Sequence, residues 1–415
     1  MKKLLFLLLF ALSSLLVADE APFAIYLTWH DDPTSTMCIN IIEEESSKIP
    51  SIEYQKKTDR EWKKALPSSG FSEEPYSVYS FYLSHLKADT TYRFRISGYD
   101  VEHLFATMPN KLKSPLSFVV GGDINLNSSS GPLFEETNRQ VVHRNPAFIA
   151  IGGDIACSGT NPFHTPEDDR RWFTWFSIWY KTMITEEGRL IPLLVSIGNH
   201  DVSGGHDQTP QEARLFYKFF RAEGERGYRV ARFGSYLSLY LLDSNHTTPI
   251  KGFQSLWLAA QMYLDRKVPH KVAVYHVSAY PPVRSFSDRI GSSIRHYWAP
   301  IFDTLRLHLA FEHHEHAYKR TTPISFGSAC PFGVTYIGNG PWGKRPRSPR
   351  ADPLFDKTAQ IRGFSEVTIY PHRRDVQAFN FDGTVIDSFS QETDDRIIRH
   401  VVEQERKLSK MRPVH

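Results

Sequence analysis

The sequence predicts an N-terminal all-β sandwich followed by a larger α/β domain whose buried sheets are flanked by helices. Three observations predict it. Before residue 112, short alternating or β-branched runs recur between turn residues, with no long helix period. After Leu116, near-continuous apolar runs alternate with helical stretches. Five of those later runs end in Asp, Asn or His. A chain of 415 residues is too long for one ordinary domain and suits two. Apolar residues make up 41% and charged residues 23%, which excludes wholesale disorder, a collagenous repeat and a multi-span membrane protein.

The first element is an export signal over residues 1–18. Lys2 and Lys3 form a short basic start, and Leu4 to Leu16 is an apolar run shorter than the roughly 20 residues a membrane-spanning helix needs. Ala18 before Asp19-Glu20 offers a cleavage point. The alternative is an uncleaved anchor. No later stretch reads as a span, so the mature chain is expected to be exported, periplasmic or secreted, from a bacterium. Formal net charge is +3; without Lys2 and Lys3 it is +1, and no nucleic-acid-binding module is expected. Three Cys exclude a disulfide scaffold. Oligomeric state is not legible.

The sandwich is placed at residues 19–112. Its strands are Phe23 to Trp29, Met37 to Ile42, Tyr76 to Leu83 and Thr91 to Ile96, separated by Asp31-Asp32-Pro33, Pro67 to Gly70 and Asp89-Thr90. Leu86-Lys-Ala-Asp-Thr-Thr-Tyr92, followed by Phe94 and Ile96, resembles a fibronectin type III strand corner, with the tyrosine packed at the sandwich edge.

The α/β domain is placed at residues 113–390. Leu116 to Val120 leads into Gly-Gly-Asp123, Ala147 to Ile151 into Gly-Gly-Asp154, and Pro192 to Ile197 into Gly-Asn199-His200-Asp201. Lys271 to Tyr275 ends at His276, and Leu307 to Phe311 precedes His313, His314 and His316. Trp172, Trp175, Phe176 and Trp179 fall at helical spacing and read as a buried helix face. Residues 391–415 mix both charges and read as a charged helix or tail. Carboxylate, amide oxygen and imidazole are all ligands for divalent cations, and α/β folds place sites at strand C-termini. Singly, each Gly-Asp is an ordinary turn; the ordered set points to metal chemistry.

The set resembles the metallophosphoesterase superfamily and, within it, the purple acid phosphatases. The blocks are Asp123-Ile-Asn125, Gly153-Asp154-Ile-Ala-Cys157, Gly198-Asn-His-Asp201, Ala273-Val-Tyr-His276 and His314-Glu-His316-Ala-Tyr318-Lys-Arg320. Gln254-Ser-Leu-Trp257-Leu258 and the runs at Thr335, Gly363 and Asp382 match further blocks, so the resemblance covers roughly residues 22 to 390. It implies an exported phosphatase hydrolysing phosphomonoesters by in-line attack of a metal-activated hydroxide. A phosphodiesterase with the same core, or a non-catalytic envelope or host-interaction protein, are the alternatives.

The resemblance also implies roles. Asp154 bridges two metal ions (zinc, manganese or iron); Asp123 and His316 complete metal one, and Asn199, His276 and His314 serve metal two. His200 faces the phosphoryl group and Asp201 orients it. The family's colour-giving tyrosine is replaced by Cys157, and the histidine that other members use is replaced by Asn125. Cys157 supplies the extra ligand as a thiolate, or Asn125 or a water fills the position with oxygen, or metal one is weak and the protein a degenerate relative. His313 stands where the family has Gly, as a metal-supporting donor, a substrate contact, or crowding tolerated by a shifted loop. Arg284 and Arg289 read as exposed loop arginines, with substrate binding as the alternative. The basic run Lys344-Arg345-Pro-Arg347-Ser-Pro-Arg350 either guides an anionic substrate or is a solvated loop.

Overall fold

The structure is a computed structural model that describes residues 22–44, 49–124, 131–159, 167–221 and 226–393. The signal segment, Asn125 and the charged C-terminal run lie outside the described residues.

Two four-stranded antiparallel sheets make the N-terminal sandwich. One holds Ala24–Thr28, Met37–Glu44, Tyr76–Leu83 and Ser69–Glu73; the other holds Lys63–Ala65, Ile52–Lys56, Thr91–Ile96 and Glu102–Ala106. In Thr91–Ile96 the alternation is visible directly, with Tyr92, Phe94 and Ile96 buried and Arg95 outside. Tyr92 is buried at the corner, and its hydroxyl accepts the Lys87 N–H at 2.8 Å. That bond satisfies a polar tip within an apolar edge.

The α/β part is two mixed sheets packed face to face. The first runs Leu193–Ser196, Ile149–Gly152, Leu116–Gly121, Gly363–Ile369, Arg373–Asn380 and Val385–Glu392. Its first three strands are parallel, and the remainder join antiparallel. The second sheet centres on four mutually parallel strands, Leu237–Leu241, His270–Val274, Leu309–Glu312 and Thr335–Asn339. Helices cover the outer faces. Helix Asp169–Thr182 turns Trp172, Trp175, Phe176 and Trp179 inward, so the aromatic stripe is core. Helix Ser255–Leu264 follows the buried Gln254, whose side chain accepts from Asp243 N at 3.0 Å.

The sandwich is fused to this core rather than tethered to it. Trp29 meets Phe148 and Phe233 edge-on at 6.1 and 5.9 Å, and Tyr26 stacks on Phe176 at 4.4 Å. Tyr26 Oη donates to Phe219 O, and Glu73 takes a two-pronged bond from Arg214 at 2.6 and 2.7 Å. No described helix is long and apolar enough to cross a membrane. Cys38, Cys157 and Cys330 form no disulfide.

Glu167 lies near this seam and accepts Leu215 N at 3.0 Å. Burial raises its pKa from 4.5 to about 7, against the pull of the Leu215 N–H and Arg214. A folded-state pKa above the unfolded one means that stability is lost as pH rises from about 4.5 through 7. Glu167→Gln keeps the acceptor and removes the charge. It should raise the unfolding free energy at pH 8 by up to about 3 kcal/mol, with a higher melting midpoint, and change little at pH 5. An equal gain at both values, read by thermal melts, contradicts the ionisation account.

Candidate metal centre

Every loop that carries a ligand follows a buried strand, and the sheet twist brings the strand ends together. Asp123 and Asp154 sit one turn beyond parallel neighbours, with positive φ of 55° and 53°. Non-glycine residues rarely hold this conformation, and here backbone bonds fix it. Asp123 N donates to Gly153 O and Ile124 N to Asp154 O, so the two loops brace each other. His314 and His316 also have positive φ, at 69° and 54°.

The side chains converge in two triads. Asp154, His276 and His314 form one; Asp123, Asp154 and His316 form the other; in each, the ligand atoms lie within 4.8 Å of one another. Asp154 belongs to both. His276 Nε2 is 3.3 Å from Asp154 Oδ1, 3.0 Å from Asn199 Oδ1 and 3.1 Å from His314 Nδ1. His316 Nε2 is 3.4 Å from Asp123 Oδ1. His276 Nδ1 donates to Gly152 O at 2.9 Å, which leaves the Nε2 lone pair facing the centre.

Buried lone pairs and carboxylates facing one another repel unless a cation lies between them. Burial disfavours charge on His276, yet Asp154 and Asp123 outweigh it and raise its pKa to about 9. Burial opposes the charge on Asp154 as well, and His276 and His200 nonetheless hold its carboxyl well below the usual range. A site that draws a proton this strongly fits metal ions, which would replace the proton with a larger charge. The donor set of carboxylates, imidazoles and one amide suits a dinuclear centre of divalent or trivalent ions.

The other expected residues divide. His200 is half-exposed beside His316 in a cleft of about 950 Å³, and its backbone N–H donates to Asp154 Oδ1 at 2.8 Å. Asp201 is buried; Oδ1 accepts Ile155 N at 2.8 Å and Oδ2 accepts Gly198 N at 3.0 Å. Its carboxylate thus ties the two ligand loops together rather than reaching for the His200 ring. Cys157 is buried with a positive φ of 63°, and burial followed by Asp154 pushes its thiol pKa far up. Neither triad contains it.

His313 is buried against Gly122 and Gly152 instead of lining the cleft. Neither ring nitrogen has a hydrogen-bond partner among the described residues, and burial lowers its pKa to about 4, so the ring is neutral. Arg284 is a clamp. Its Nη1 donates to His314 O at 2.6 Å and to Glu315 at 2.8 Å, holding the turn that carries two ligands. Arg289 is exposed and pairs with Asp207. Behind the turn, Glu312 accepts from Tyr275 Oη and Ala279 N and pairs with Lys319, both charges being fully buried.

Two further histidines, outside the set the sequence predicts, lie against the centre. His246 lies 5.5 Å from the His276 ring, and His206 stacks on His246 at 4.8 Å and meets His314 edge-on at 6.1 Å. His246 Nδ1 donates to Gly205 O. Burial, more than neighbouring positive charge, lowers both pKa values, His206 to about 4. They form a neutral wall behind the triad of Asp154, His276 and His314. His246 follows the buried strand Leu237–Leu241, so the strand-end rule that singled out the ligands applies to it too.

No protein-family model matches the sequence. Purple acid phosphatase 21 of Arabidopsis thaliana is 25% identical over 317 residues, covering 70% of this chain and 64% of that protein. The chain therefore spans less than two thirds of that relative's length. The purple acid phosphatase PPD1 from yellow lupin (Lupinus luteus) seeds superimposes with a TM-score of 0.72 at 14% identity, over 89% of this chain and 74% of that one. PhoD superimposes with a TM-score of 0.66 at 12% identity, over 94% and 99%. With its β-sandwich ahead of a metal-binding α/β domain, the chain has a metallophosphoesterase fold of the purple-acid-phosphatase type.

Proposed function

We propose that this chain is an exported, metal-dependent phosphoric ester hydrolase acting on phosphomonoesters. The observation that carries the reading is the pair of triads sharing Asp154 at the end of a cleft lined by cations. The export half rests on Lys2, Lys3 and the Leu4 to Leu16 run.

Asp123, Asp154 and His316 would hold one ion, and Asp154, Asn199, His276 and His314 the other, with zinc, manganese or iron as the candidates. Bound ions would neutralise the ester, acidify water and clamp the attacking and leaving oxygens in line. The chain's own groups do the rest. His200 faces the cleft and is placed to donate a proton to the leaving oxygen. Asp201 positions His200 indirectly, through the loop it ties down. Arg347 N donates to His316 O at 2.7 Å, and its guanidinium stands in the field of Asp123 and Asp154. It offers a forked donor to phosphoryl oxygens. With Cys157 in place of the tyrosine, no purple colour is expected.

The test is phosphate release from p-nitrophenyl phosphate by protein loaded with each metal in turn, beside bis(p-nitrophenyl) phosphate. His200→Ala should keep its metal content and lose about 10²–10⁴-fold in kcat. Wild-type protein that carries metal and cleaves neither compound sinks the hydrolase reading. Faster cleavage of the diester moves the reading to a phosphodiesterase.

A further inference from the structure

The cleft that opens from His200 and His316 is lined by Lys344, Arg345 and Arg347 from one loop and by Arg362. Among the described lining residues there is no carboxylate. The basic loop is built into the metal centre rather than draped over it. Trp342 is fully buried; its N donates to Gly122 O at 2.8 Å and its Nε1 to Asn138 at 2.8 Å. Gly343 N reaches Asp123 O at 3.3 Å, and Arg347 N reaches His316 O. The backbone that presents these cations is therefore bonded to the backbone that presents two metal ligands. Further on, Ser348 Oγ donates to Gln360 at 2.7 Å, which joins the loop to the segment carrying Arg362. Arg350, by contrast, is spent on the carbonyls of Arg284 and Pro281.

Arg362 is itself held. Its guanidinium lies 4.1 Å over the Phe381 ring and pairs with Glu136, while its buried Nε has no hydrogen-bond partner among the described residues. A phosphoryl group at the triads would engage His200 and Arg347. Among the described residues Lys344 and Arg345 then remain as unpaired cations in a cleft of about 950 Å³, beside Arg362, whose charge is shared with Glu136. A neutral leaving group gains nothing from them. A second dianion gains charge-assisted bonds, and low-dielectric cleft walls strengthen the field it feels.

We propose that the cleft selects phosphoric esters whose leaving group carries a second phosphoryl group, bound by Lys344, Arg345 and Arg362. The proposal rests on the hydrolase reading, since it places the first phosphoryl group at the triads. Its test uses two compounds that cannot be hydrolysed, phenylphosphonate and 1,4-phenylenediphosphonate, titrated calorimetrically into the metal-loaded full chain. The diphosphonate should bind at least about tenfold more tightly, a margin of ~1.4 kcal/mol. Raising sodium chloride from low to physiological strength should narrow the margin. The paired change Lys344→Ala/Arg345→Ala, at a half-buried and an exposed position, should weaken the diphosphonate more than the monophosphonate, bringing the ratio below about threefold. Equal wild-type affinities, no binding of either compound, or proportional weakening of both in the variant overturn the proposal. A diphosphonate preference that survives in protein cleaving no ester at all would overturn the hydrolase reading and leave the anion-selecting cleft standing.

Discussion

Asp154→Asn should empty both metal positions, whereas His316→Ala should empty one. Asp154 is the residue common to both triads, and it is fully buried between two histidines. Two cations so close repel each other, and a shared carboxylate offsets that repulsion at its strongest point. Asparagine keeps the shape and one oxygen, and its Oδ1 can still accept the His200 N–H that Asp154 accepts at 2.8 Å. Loss of metal would therefore reflect lost charge rather than a lost loop. Elemental analysis should read about two metals per chain for the wild type, about one for His316→Ala, and well under one for Asp154→Asn. Phosphate release should fall at least about 10³-fold in Asp154→Asn, a loss of ~4 kcal/mol in barrier. A full equivalent of metal retained by Asp154→Asn would show that the two triads are separate sites and that the bridge does not exist.

The ligands were legible because each ends an apolar run. Strands buried on both faces carry an Asp or His only where it finds a buried partner, as His270 does with Tyr370 O, so a cluster of such residues beyond an apolar run marks a strand end. Parallel neighbours such as Ile149–Gly152 and Leu116–Gly121 then bring those ends together. The sandwich was legible for the same reason at period two, with Tyr92 closing its corner. What side chains do beyond the strand end was less legible. Arg284 and Arg289 look alike in sequence, yet one clamps the His314 turn and the other pairs at the surface with Asp207. Which loop each guanidinium meets is decided by long-range packing. His206 and His246 were missed because they come together only when two distant loops stack. The basic run could be read as solvated or as substrate-facing, and bonds to Gly122, Asp123 and His316 carry it to the cleft.

Gly152→Ala should collapse the centre, and His313→Ala should restore it. A Cβ at position 152 would lie 1.8 Å from His313 Cδ2 and 2.1 Å from Nε2, far inside contact distance. A Cβ at Gly122 would lie 2.8 Å from Nδ1 of the same ring. The His313 ring is buried, so it has nowhere to go without shifting a strand end. Gly152 O also accepts from His276 Nδ1, so that shift turns a metal ligand. Overpacking of this kind costs about 3 kcal/mol or more, and a disturbed ligand support lowers metal affinity by roughly 10–100-fold. Removing the ring in the second variant removes the clash, together with two buried nitrogens that have no partner. His313→Ala alone should thus be mild, because the packing it loses is offset by the unpaired polar atoms it removes. Thermal melts and metal titrations on the four proteins should give a favourable coupling of at least about 2 kcal/mol between the two changes. If the double variant is no better than Gly152→Ala, position 152 needs glycine for its backbone and not for His313. If it recovers, His313 and the glycine cradle are one unit, and the buried histidine is accommodated by space left at the neighbouring strand ends.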